Sequence, residues 1–154
     1  MANETTPIRA AAEAFWVAWS GRDVAGLTEL WDTDDPASSY LPAESEQRLI
    51  GAAAVNQHVI ATIERFETIR MRPKVVYPRR LKQDLGSIFA VVDWALRETA
   101  GAPPMGGTIR VSAVLRLRGG AWRMSHYAEA PLAPLVELRK FYQKVAADGH
   151  EALL

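Results

Sequence analysis

The feature that most limits the fold of this chain is Gly119-Gly120, set between two long segments that alternate in polarity. Residues 108–118 and 121–130 change character at nearly every second position, the period of a strand with one face on a core and one on water. A two-residue Gly-Gly link between such segments signals a β-hairpin, because the turns that suit twisted strands need positive φ at their central positions. Pairing across this turn sets Arg118 opposite Ala121, Leu117 opposite Trp122 and Ala113 opposite His126. One face then gathers Ile109, Val111, Ala113, Leu115, Leu117, Trp122, Met124, His126 and Ala128. The other gathers Arg110, Ser112, Arg116, Arg118, Arg123, Ser125, Tyr127 and Glu129. The first is expected to meet helices, with His126 as its polar exception. On the second, Arg110 is expected to pair with Glu129.

The rest of the chain supplies those helices. Thr6-Pro7 predicts a helix start with Thr6 as N-cap and proline in the first turn, and Ile8, Ala12, Phe15 and Trp19 recur at helical spacing. Gly21 closes that helix. Asp23 caps a second one carrying Leu27, Leu30 and Trp31, which Asp34-Asp35-Pro36 stops. A short strand is expected over 38–41, then a helix after Gly51 bearing Val55, His58, Val59 and Ile63. Pro73 and Pro78 bracket a strand at 74–77, which places it at a sheet edge or bulge. Another strand runs over 87–98, and 99–107 is a Gly/Pro loop. After Pro131 and Pro134, Leu135, Leu138, Tyr142 and Val145 mark an amphipathic helix over about 134–147. Strands gathered after helices predict an α+β fold, an antiparallel meander packed on its helices.

With 154 residues, 49% of them hydrophobic and 23% charged, the chain suits one globular domain over 1–154. Eighteen basic residues balance 18 acidic ones, and no like-charge block suggests a nucleic-acid or membrane-surface partner. The absence of cysteine excludes disulfides and thiolate chemistry. Residues 1–7 have neither the basic nor the apolar region of a signal peptide, and no apolar run is long enough to span a membrane. A cytoplasmic protein is the expectation. His58, His126 and His150 lie far apart in sequence, so no metal site is expected, and no phosphate loop or nucleophile elbow is present.

The chain resembles the nuclear transport factor 2-like superfamily, which includes SnoaL-like and steroid-isomerase-like proteins. The residues that carry the likeness are Phe15-Trp16 with 20–23, Leu30-Trp31-Asp32 with Asp34-Asp35, Arg48 to Gly51, and Gly120 to His126, across about residues 8–131. The resemblance implies a cone of curved sheet and helices around a pocket, often dimeric through the sheet. The C-terminal helix is an addition to that pattern. Steroid isomerases place a catalytic aspartate base shortly after the Asp-Asp pair, where this chain has Tyr40. They place a proton-donating acid in the strand before the last, and residues 108–118 contain neither Asp nor Glu. That isomerase machinery therefore does not carry over.

Several side chains remain as site candidates. An unpaired ring nitrogen at His126 would cost about 1–3 kcal/mol if buried. His126 is thus either a core histidine bonded to a carbonyl or to Tyr40, or an acid/base group in the cone. Asp93 lies on the strand face opposite Ile88, Ala90, Val92 and Trp94, where it forms a surface ion pair or, with the faces exchanged, enters the cone. Even then Asp93 and His126 would stand about 10 Å apart, too far for a direct dyad. Trp16, Trp19, Trp31, Trp94, Trp122 and Met124 are core or the walls of a pocket for a flat apolar ligand. His58 lies at the edge of its helix stripe, and Arg48 is either a surface residue or an anion anchor at the pocket mouth. The expected function is a cofactor-free small-molecule protein. The candidate reactions are isomerase, cyclase, dehydratase or hydrolase chemistry using His126, Tyr40 and Asp93. The alternative is a dimeric interaction module whose core is filled.

Overall fold

The computed structural model describes residues 4–146. Residue 147, expected as the end of the last helix, and His150 lie outside that range. The first helix, α1 (Thr6–Gly21), turns its aromatic stripe inward, burying Ile8, Ala12, Phe15, Trp16, Ala18 and Trp19. Thr5 rather than Thr6 occupies the N-cap. At the other end Arg22 takes the left-handed conformation (φ 56°), and its N–H closes onto the carbonyls of Ala18 and Trp19. The next helix, α2 (Val24–Glu29), is capped by Asp23, whose carboxylate accepts the N–H of Gly26 at 2.9 Å. Two short strands follow, β1 (Ser39–Leu41) and β2 (Leu49–Ile50), of which only the first was expected from the sequence. The third helix, α3 (Ala52–Arg65), buries Val55, Val59 and Ile63.

Four long strands complete the sheet: β3 (Thr68–Lys82), β4 (Leu85–Arg97), β5 (Met105–Arg118) and β6 (Ala121–Leu132). The strand order is β2-β1-β6-β5-β4-β3. The long strands form the expected antiparallel meander, but β1 joins β6 in parallel, so the curved sheet is mixed rather than wholly antiparallel. The strand expected over 74–77 runs far past its bracketing prolines. As an edge strand β3 tolerates residues that lack an N–H, and it is irregular between Pro73 and Val75. Helix α1 lies across β3, β4 and β6. Its approach to β4 is close: a Cβ on Gly86 would stand 2.6 Å from Cδ1 of Ile8. The last helix, α4 (Leu135–Val145), buries none of its side chains.

The hairpin forms as read, with Gly119 and Gly120 both at positive φ (55° and 82°), Leu117 opposite Trp122 and Arg118 opposite Ala121. The register then changes. Leu115 faces Met124 but Val114 faces His126, so Ser125 is an extra residue, a β-bulge. Because side chains alternate with period two, one extra residue exchanges the faces of everything beyond it. Ala113 therefore lies opposite Tyr127, not His126, and Arg110 lies opposite Ala130, not Glu129. Tyr127 is fully buried and Glu129 turns to the helix side, whereas His126 leaves the core-facing row.

The bulge is held from outside the hairpin. Trp31 bridges to Met124, and the backbone of 30–32 exchanges two hydrogen bonds of 2.7 Å with Met124. The Ser125 hydroxyl donates to Asp35 at 2.8 Å, and Arg118 donates to the buried carboxylate of Asp32 at 3.1 Å. The hydrogen bond from Ser125 leads the effects that hold the Asp35 carboxyl below its ordinary range. On the inner side, the indole N–H of Trp16 donates to the Tyr127 hydroxyl at 2.9 Å. Both polar atoms of this core pair are thereby satisfied.

Candidate functional site

Between α3 and the concave side of the sheet lies a cavity of about 490 Å3, within the range that holds small organic ligands. Its walls are mainly apolar. Trp19 comes from α1, Ile69 and Met71 from β3, Trp94 and Leu96 from β4, Met105 and Ile109 from β5, and Phe66 follows α3. The polar groups come from Tyr40, Glu44, His58, Thr62, Arg65 and Glu129.

Glu129 is the chemical centre of this space, and the bulge put it there. The Tyr40 hydroxyl donates to its Oε1 at 2.9 Å, and the backbone N–H of Ala43 donates to its Oε2 at 3.2 Å. The residue as a whole is half-buried because it borders the open cavity. Its carboxyl group nevertheless sits deep enough for burial to dominate its acidity. Burial raises the pKa from 4.5 to about 7, against the two hydrogen bonds, with a further upward push from the charge of Glu44. Burial also raises the Tyr40 phenol well above its ordinary range, reinforced by Glu129, so Tyr40 remains a proton-bearing donor.

The ring of His58 meets that of Tyr40 edge-on at 5.3 Å. Burial lowers its pKa below 6.5, partly opposed by Glu44, so its imidazole is neutral at neutral pH. Arg65 stands exposed and gives two N–H bonds, at 3.1 and 2.9 Å, to one oxygen of Glu98.

Of the residues singled out from sequence, Tyr40, Trp19, Trp94 and His58 line the cavity. Trp16 and Trp31 do not: their indole N–H groups are bound in the core, to Tyr127 and to Ser38. Trp122 and Met124 are core side chains as well, with the Arg80 guanidinium over the Trp122 ring at 5.7 Å. Arg48 is exposed and outside the lining. His126, the leading candidate of the sequence, is displaced by the bulge and pairs through Nδ1 with the Ser39 hydroxyl at 2.9 Å. Burial, then the nearby charge of Arg48, lowers its pKa. Asp93 lies on the outer face, bound by Thr108 at 2.8 Å and paired with Arg72 and Lys74 at 3.1 and 3.6 Å. The Thr108 and Arg72 contacts lead in lowering its pKa.

Sequence reasoning missed Glu129 and Glu44. One signal for Glu129 was present: Ser125-His126 are two polar residues in succession, after which the bulky Tyr127 falls on the supposed water face. Among the described residues, no group of three His, Asp or Glu side chains is arranged to hold a metal ion. No described helix is long and apolar enough to cross a membrane.

Comparison with known proteins agrees with this fold. Residues 8–134 match the model of the SnoaL-like domain, and the chain belongs to that family, within the nuclear transport factor 2-like superfamily. Among solved structures, one from Streptomyces avermitilis, named provisionally as a dehydratase of the same superfamily, superposes with a TM-score of 0.76 at 17% identity, over 83% of this chain and 96% of that one. A ketosteroid isomerase-like protein from Erwinia carotovora atroseptica gives 0.70 at 15% identity, over 87% and 100%. A protein of cystatin-like fold from Caulobacter vibrioides gives 0.71 at 17% identity, over 98% and 99%. At these identities the likeness is one of fold. Among curated proteins, none matches the chain in sequence.

Proposed function

We propose that this chain binds a small apolar cyclic or aromatic molecule in the cavity and transforms it by proton transfer, with Glu129 as general acid/base. The observation that carries this reading is the Glu129 carboxyl group, set into a mainly apolar cavity of about 490 Å3 and bonded by Tyr40 and Ala43, where burial raises its pKa to about 7. Such a group is present in both protonation states at neutral pH, the condition under which one residue serves both as base and as acid. Ionised, Glu129 takes a proton from an acidic C–H or O–H of the ligand. Protonated, it returns that proton to another carbon, completing an isomerisation, or to a departing hydroxyl, completing a dehydration. The Tyr40 O–H steadies the carboxylate between these steps, and Trp19, Trp94 and Phe66 orient the ring and exclude water. The open cavity speaks against a module with a filled core.

The outer sheet face suits a second copy of the chain, as the stacked and exposed Tyr77 and Phe89 suggest (63% and 45% exposed). Light scattering tests that arrangement.

A thermal-shift screen of aromatic, terpenoid and steroid-like compounds tests the cavity, because a ligand that binds the native state raises Tm. A hit whose effect vanishes in Trp94→Ala supports the reading. Turnover of such a hit is then expected to fall by roughly 10²- to 10⁴-fold in Glu129→Gln. Unchanged turnover in that variant would remove Glu129 from the chemistry.

A further inference from the structure

The charges around the cavity are one-sided. Glu129 and Glu44 both face it, and Glu44 is exposed, so it stands on the solvent side while Glu129 lies deeper. Among the described residues, the one cationic side chain in the lining is Arg65, which already gives two N–H bonds to Glu98. Each oxygen of Glu129 accepts one protein hydrogen bond, from Tyr40 or from Ala43. A carboxylate has about four acceptor positions, so acceptor capacity remains for a donor from the ligand. An anionic ligand would meet two carboxylates, whereas a cationic one would find two acceptors.

We propose that the cavity takes an apolar primary amine, its ammonium held by Glu129 and Glu44 and its hydrocarbon body against Trp94, Trp19 and Phe66. This rests on the reading of the cavity as a small-molecule site and adds the chemical class of the ligand; with the ammonium bound, Glu129 is held ionised and serves as acceptor and base, and the ammonium is the proton donor beside it. Among the described residues, the groups bonded to Glu129, and those that line the cavity or pack behind it, carry no positive charge to compete with an ammonium, apart from Arg65 on its Glu98 partner. β1 supplies the Tyr40 hydroxyl and the loop after it supplies the Ala43 N–H and Glu44. α3 supplies a neutral His58, and β6 itself supplies the buried hydroxyl of Tyr127. Burial and the Glu44 charge both oppose ionisation of Glu129, and a bound ammonium offsets both. Amine affinity therefore rises as pH climbs through about 7 and Glu129 ionises.

Calorimetric titration of the full chain with three ligands on one ring system tests this: 2-aminotetralin, 2-hydroxytetralin and tetralin-2-carboxylate. At about pH 8 the amine is expected to bind about tenfold or more tighter than the alcohol, and the carboxylate weakest. The amine preference is expected to shrink to about threefold or less at about pH 6 and in Glu129→Gln. Exposed Glu44→Gln, which leaves the core untouched, is expected to reduce it about threefold and serves if the first variant does not fold. Equal affinity for amine and alcohol, or tightest binding of the carboxylate, overturns the amine assignment while leaving the cavity a binding site. Binding of none of the three overturns both.

Discussion

Replacing Glu129 with glutamine should change the way stability depends on pH, and by an amount the structure sets. The carboxyl has a pKa of about 7 in the folded chain against 4.5 for the ordinary group. The native state therefore holds a proton that the unfolded chain has lost between those two values. Stability must fall as pH rises through that window: the favourable state is complete below 4.5 and is lost as Glu129 ionises near 7. The difference between 4.5 and about 7 corresponds to about 3 kcal/mol. Glutamine does not titrate. The difference in unfolding free energy, variant minus wild type, should therefore rise by about 3 kcal/mol between roughly pH 4 and pH 8.5. Glutamine keeps only one of the two acceptor oxygens that serve Tyr40 and Ala43, and that loss adds an offset that does not vary with pH. Titrations of His58, His126, Asp35 and Asp93 occur in both proteins and cancel from the difference to first order. Urea denaturation at five or six pH values measures it. For a chain of 154 residues the same energy appears as roughly 6–12 °C in Tm. Parallel pH profiles for the two proteins would refute the reasoning, because an ordinary carboxyl at position 129 leaves no such difference.

Three further substitutions separate the site from its surroundings. Tyr127→Phe leaves the Trp16 indole N–H without its acceptor in the core and should cost about 1–3 kcal/mol by urea denaturation. A neutral result would place Tyr127 outside the core and remove the bulge from the account. His126→Ala loses the Ser39 contact and should cost no more than about 1.5 kcal/mol. Calorimetry with any cavity ligand should show unchanged affinity, and a large loss of affinity would return His126 to the site. Asp93→Asn should change stability little by urea denaturation, an effect that shrinks with added salt because its ion pairs are exposed to solvent, and a large loss that salt does not reduce would contradict the surface placement.

Much of the architecture was legible because the signals were local. The Gly119-Gly120 turn fixes the hairpin ends, α1 announces itself through the spacing of Ile8, Ala12, Phe15 and Trp19, and Asp23 caps α2. The candidate site was legible only in part, because it depends on one backbone irregularity. Alternation carried without a break from Trp122 places His126 inward and Glu129 outward. Ser125 reverses both, and what fixes the bulge is remote in sequence: the backbone of 30–32 and the carboxylate of Asp35. Periodicity within a strand cannot report a contact made from ninety positions away. Tyr40 was picked out by its place after the Asp-Asp pair, but its partner Glu129 was hidden by the register. The parallel pairing of β1 with β6 was equally invisible, since it is set by where α2 delivers the chain and not by the three residues of the strand itself.

The most direct test of the account is the ionisation of Glu129 itself. Carbon-13 NMR of the glutamate side-chain carboxyls, with the Glu129 signal assigned by its absence from Glu129→Gln, follows that ionisation across pH. A midpoint of about 7 is expected in the ligand-free protein. A midpoint near 4.5 would contradict it, because an ordinary, solvated carboxyl is not the poised acid/base on which the proposed chemistry rests.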